Sequence, residues 1–135
     1  MKTVELVKKG NFDTWDPKNL KELKTDKISK KIGQLVLHED DDIRIWQVKL
    51  LPYERLPFRS VNNDCFFSTQ TEGLLLSRSS DGSIKLIKIK KGDSKHYKLR
   101  NTNYVFDIEN IGVSIISLNI IEYLTNVSDK KIKQY

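Results

Sequence analysis

From Gly33 onward the sequence changes to a period of two, with apolar and polar residues largely alternating between short turn signals, and this leaves the chain little choice of fold. Ile43 to Leu51 (IRIWQVKLL) and Ser83 to Lys90 (SIKLIKIK) show it most clearly. Successive side chains of a strand point to opposite faces, so such segments bury one face and wet the other. Gln34–His38, Cys65–Thr71, Leu74–Arg78, Tyr104–Glu109 and Val113–Leu124 read as further strands. The punctuation is equally regular: Asp40-Asp41-Asp42, Glu72-Gly73, Ser79-Ser80-Asp81-Gly82, Gly92-Asp93 and Asn110-Ile111-Gly112. Pro52 and Pro57 bound the piece Tyr53–Leu56, and proline belongs at strand edges and bends. About eight or nine short strands with no helical period between them predict an all-β sandwich or barrel.

Residues 1–32 differ. Asp16-Pro17 has the form of a helix start, with an N-cap acid before a proline at the first helical position. Leu20, Leu23, Ile28 and Ile32 follow at roughly helical spacing, and Gly33 closes the segment. The expected organisation is an N-terminal extension with a short helix (1–32), a β-barrel (33–125) and a C-terminal tail (126–135).

Composition narrows the function classes. Cys65 is the only cysteine, which excludes an intramolecular disulfide and a multi-cysteine zinc site, and its strand context predicts a buried structural thiol. Two histidines, His38 and His96, leave little for a transition-metal site. The net charge of +6 is spread as scattered lysines without a basic stripe or interleaved stacking aromatics, which argues against nucleic acid. No apolar run approaches the roughly 20 residues that span a bilayer, so no membrane partner is expected. The start of the sequence lacks an apolar leader, which predicts a cytoplasmic location and makes the Asn126-Val127-Ser128 sequon a chance match.

Pro52-Tyr53-Glu54, Leu56-Pro57, Gly73, Asp81-Gly82, Gly92-Asp93 and Glu109-Asn110-Ile111-Gly112 occur in an order that resembles a small single-domain cupin, an RmlC-like jelly roll similar to the β-alanine-degradation-type cupins. The resemblance covers roughly two thirds of the chain and implies a double-stranded β-helix that pairs into a homodimer. It also implies a metal held by histidines and a carboxylate. The motif's leading glycine falls at Tyr53 and its ligand positions at Arg59, Val61 and Phe66, with Phe106 or Asn103 at the last one, depending on the anchor. None is a histidine, and Val61, Phe66 and Phe106 offer no lone pair, so no metal or other cofactor is expected.

In the cupin template these positions face the barrel interior. Period two then gathers Arg59, Val61, Phe66, Ser68, Gln70, Tyr104 and Phe106 around a pocket, mostly apolar with a few polar points. Arg59 in that setting would anchor a small anionic ligand. The competing reading is that Val61, Phe66 and Phe106 fill the barrel while Arg59 pairs with Asp64, Glu54 or Glu72 at its mouth. A metal-independent isomerase or lyase would need His96 or Tyr104 as acid or base, with Asp93, Asp107 or Tyr97 as partner. A dimeric interaction module would use Val113–Leu124, Trp15 and Tyr123, whereas Trp46 and the His38 turn read as ordinary core and surface.

Overall fold

A computed structural model of the protein describes residues 1–25, 27–99 and 104–124. The expected tail, the sequon and Asn103 lie outside the described residues. The strands are β1 (Lys2–Val7), β2 (Leu35–Glu39), β3 (Ile43–Leu50), β4 (Arg55–Val61), β5 (Cys65–Thr69), β6 (Gly73–Arg78), β7 (Ile84–Ile89), β8 (Ser94–Tyr97), β9 (Tyr104–Asn110) and β10 (Ile116–Tyr123). They form two antiparallel five-stranded sheets. Sheet I runs β1-β7-β6-β9-β4, and sheet II runs β2-β3-β10-β5-β8. The core lies between them, with Val48, Leu50, Leu75, Ile89, Ile116, Leu118 and Ile120 almost wholly buried. Fully burying each such side chain stabilises the fold by about 1.5–3 kcal/mol.

The predicted helix is present as α1 (Pro17–Leu23), with the Asp16 side chain accepting from the Lys18 backbone N–H. The rest of the first 32 residues needs correction, because Lys2–Val7 forms β1, paired to β7 at the edge of sheet I. Its pattern KTVELV is exposed almost throughout, so no buried face marks it in the sequence. Likewise Ser94–Tyr97 forms β8 on β5. Val113–Ser114–Ile115, expected in the last strand, is instead a connection that leaves Val113 87% exposed.

Two turns show how local chemistry fixes the frame. The Asp81-Gly82 hairpin joins β6 to β7 with Gly82 at φ +93°, a conformation glycine adopts without steric cost. A side chain there would also meet the Gly10 backbone nitrogen at 2.9 Å. Tyr53 stands where the resembled family has glycine and holds φ +67°. Its N–H donates to the Asn110 carbonyl at 2.7 Å. Asn110 is wholly buried and pins the same corner, donating through Nδ2 to the carbonyls of Leu50 and Ser114 while Oδ1 accepts from Gly112 N–H. The Asn-Ile-Gly motif is thus a corner fastener, which accounts for its residues without a ligand.

Candidate functional site

β10 alternates cleanly, with Ile116, Leu118, Ile120 and Glu122 buried, and so sets which residues of its neighbours face inward. β5 pairs with it as Leu118↔Thr69, Ile120↔Phe67 and Glu122↔Cys65. Cross-strand partners share a face, so Cys65, Phe67 and Thr69 point into the sandwich. Phe66, Ser68 and Gln70, expected inside, point out. Phe66 meets His96 at 6.4 Å between ring centroids, and Gln70 accepts from Ser117 Oγ at 3.2 Å.

β4 carries a second shift of phase. Leu56 pairs with Ile108, yet Arg59 pairs with Phe106 and Val61 with Tyr104, so one extra residue is accommodated between Leu56 and Arg59. Pro57, which has no N–H for the ladder, sits in this bulge. The bulge lets Leu56 and Val61 both face inward while Phe58 turns out to stack on Trp15 at 6.1 Å.

The inner faces enclose a cavity of about 100 Å³. Val61, Tyr104 and Phe106 line it, as expected from the sequence, together with Ile108. Sequence reasoning missed Phe67, Leu75, Ile87 and Tyr97, and also the lysines Lys85 and Lys95. The aromatic wall is continuous, with Phe67 5.2 Å from Tyr97 and 6.3 Å from Phe106, and Tyr104 5.5 Å from Phe106. The Tyr104 hydroxyl is 2.6 Å from Ser79 Oγ. Burial pushes the Tyr97 phenol up to about 12 and the Cys65 thiol, beside Glu122 and Asp64, also up to about 12. Both stay protonated near neutral pH, so Cys65 is no nucleophile there.

Arg59 is not among the side chains that line this cavity. It is half-buried on β4, and its Nε is buried without a hydrogen-bond partner among the described residues. Burial lowers its pKa, partly offset by the charge of Glu22. None of the ion pairs expected for it, to Asp64, Glu54 or Glu72, is formed among the described residues.

The catalytic candidates are not brought together. His96 is exposed on the outer face of sheet II, its ring 5.8 Å from that of Tyr123, while Tyr104 lines the interior. Asp107 is bonded to Arg55 and Arg78, and Asp93 accepts from the Lys90 N–H. His38 bonds Asp40 at 2.9 Å on the surface, which holds the Asp40 carboxyl down at about 2 together with backbone donors from Ile43 and Asp42.

A metal of the kind the resemblance implies does not fit this chain. The inward positions Val61 and Phe106 carry no donor atom, and among the described residues no three His, Cys, Asp or Glu side chains converge. The inward carboxylate of Glu122 is taken up by Trp46 Nε1 and Asn63 Nδ2, each at 2.9 Å, and by Arg44.

With the geometry in hand, solved structures supply the comparison. No protein-family model and no curated protein matches the chain. A cupin domain from Bordetella pertussis superposes with a TM-score of 0.58 at 17% identity, covering 66% of this chain and 88% of that one. An RmlC-like cupin with a double-stranded β-helix fold from Methanocaldococcus jannaschii gives 0.54 at 16%, covering 74% and 86%. The Cnp3 cupin domain of Schizosaccharomyces pombe gives 0.53 at 18%, covering 74% and 69%. The two sheets are therefore a cupin-type double-stranded β-helix, and at these identities the likeness concerns fold alone.

Proposed function

We propose that this cupin-fold chain is a binding protein that works without a metal and takes up a small, largely apolar molecule between its sheets. The observation that carries the reading is the lined cavity of about 100 Å³. Protein interiors are close-packed, and leaving such a volume open costs on the order of 2 kcal/mol at about 24 cal/mol per Å³. A dry cavity of roughly 150 Å³ holds a benzene molecule, so this one suits a group of about four carbons. Burying four methylenes is worth about 3 kcal/mol, which by itself corresponds to a dissociation constant of roughly 6 mM, and the costs of association weaken it, so the bare group is expected to bind in the range of tens of millimolar or weaker.

The test is titration of isotope-labelled protein with valeramide, followed by amide chemical shifts. Expected are saturable shifts at strands β5, β7 and β9, abolished in Val61→Phe and in Ile87→Phe, which fill the cavity from two different strands of sheet I, β4 and β7. Shifts confined to the surface would overturn the reading.

A second role, self-association into a homodimer, is supported by the outer face of sheet II. There Ile45, Ile121, Phe66 and His96 stand in one row across β3, β10, β5 and β8. The neighbouring edge strand β2 exposes Leu35, Val36 and Leu37 by 40–55%. Sedimentation of the wild type and of Phe66→Lys checks it, and a monomer at all concentrations would exclude it.

A further inference from the structure

We propose that the ligand of this cavity is a short-chain carboxylate, its head held at the mouth by Lys85 and Lys95 and its tail of about four carbons filling the space behind; the inference rests on the cavity reading above. Lys85 lies opposite Ser77 in the β6–β7 register, on the inward row that continues through Ile87 and Ile89. Lys95 lies opposite Phe67 in the β5–β8 register, and its Nζ stands 5.4 Å from the centre of the Tyr97 ring. Each sheet thus contributes one lysine to the same cavity, on a row where alternation otherwise places apolar side chains. A lysine on such a row is stable when its stem lies along the apolar wall and its ammonium reaches water, which puts both charges at the opening.

Among the described residues the lining holds no aspartate or glutamate to balance them. Among the described residues neither lysine has a carboxylate within ion-pair distance. The nearest acids by position are engaged elsewhere or exposed. Asp81 lies within electrostatic reach of Lys85 but makes no ion pair with it, its carboxylate accepting from the backbone and hydroxyl of Ser83. Glu5 faces Lys85 in the β1–β7 register but is exposed and makes no ion pair with it. Two ammoniums act as separate point charges, which suits a small carboxylate met by one donor from each side, and the protonated Tyr97 hydroxyl is a further donor on the same wall. Arg59, the cation singled out by sequence, is not needed for this.

Affinity is measured by the same chemical-shift titration for valerate, for its neutral isostere valeramide and for pentylamine. Valerate is expected to bind roughly 10-fold more tightly than valeramide, and pentylamine more weakly than either. Lys85→Gln and Lys95→Gln should each weaken valerate by about 3–5-fold and leave valeramide unchanged, as expected of partly exposed ion pairs. Glu5→Gln should tighten valerate by about 2-fold. Raising salt from about 20 to 500 mM should shrink the valerate advantage alone. Equal affinity for valerate and valeramide, or a Lys85→Gln/Lys95→Gln double variant that still prefers valerate, would overturn the head-group assignment while the cavity reading stands. Absence of saturable interior shifts with every probe would overturn both.

Discussion

The outer faces of the two sheets solve the same problem in opposite ways. That of sheet I is covered. Trp15 stacks on Phe58 and donates through Nε1 to the Gly82 carbonyl at 2.9 Å, and α1 sends Glu22 down as a fork onto Arg55 at 2.9 and 3.0 Å. Beneath this lid Asp107, with no exposed side-chain surface, accepts from Arg55 Nε at 2.6 Å, Arg78 Nη1 at 2.9 Å and the Arg78 backbone N–H at 2.7 Å. Sheet II has no such lid: among the described residues neither the helix nor the turn at Phe12–Thr14 reaches its outer face. There Phe66, His96 and Tyr123 pack on one another half in water. A buried carboxylate is tolerated only with its charge paired and its oxygens bonded, so the covered face is all-or-none, whereas an exposed aromatic row can lose a member without leaving anything unsatisfied.

The sharpest way to break the contrast is Asp107→Ala, which strands two arginines under the lid. A loss of about 3–5 kcal/mol in urea unfolding is expected. Trp15→Ala should cost nearly as much, about 3 kcal/mol, since it empties a buried site and removes a hydrogen bond to the β6–β7 hairpin. Glu22→Gln should cost less than about 1 kcal/mol at neutral pH, because the pair is partly exposed and screened. Its signature is pH dependence. The Arg55 hydrogen bond holds the Glu22 carboxyl below its ordinary 4.5, so the stability it adds is full above that pH and is lost as pH falls through the lowered value. Trp15 fluorescence should report undocking in that acid window for the wild type, and the variant should lack this component. On the open face, His96→Ala is expected to change stability by no more than about 0.5 kcal/mol. A larger loss in a protein that also ceases to self-associate would show that a second copy covers this face.

The cavity was only half legible in the sequence. Val61, Tyr104 and Phe106 could be placed because Phe106-Asp107-Ile108-Glu109 alternates apolar and acidic residues on β9, and a strand end beyond any irregularity on β4 preserves the phase of Val61. Phe66, Ser68 and Gln70 could not, because Cys65-Phe66-Phe67 puts apolar residues on both faces and gives alternation nothing to choose between. The clean pattern of β10, its register partner, held the missing signal. In the sequence Lys85 and Lys95 are indistinguishable from the other scattered lysines, and inward parity on β8 has meaning only after β8 is known to pair with β5.

What the sequence determined by itself was the class of structure and the limits of its chemistry. Period two dictates strands, Asp-Gly and Asp-Pro dictate a hairpin and a helix start, and a chain with two histidines and one cysteine has few ligands for a metal. What only the tertiary structure decided was phase. A single extra residue beside Pro57, and a register inherited from a strand some fifty residues away, choose which of two adjacent side chains meets the interior. Those choices are made by packing between strands, where one step along the chain exchanges inside for outside.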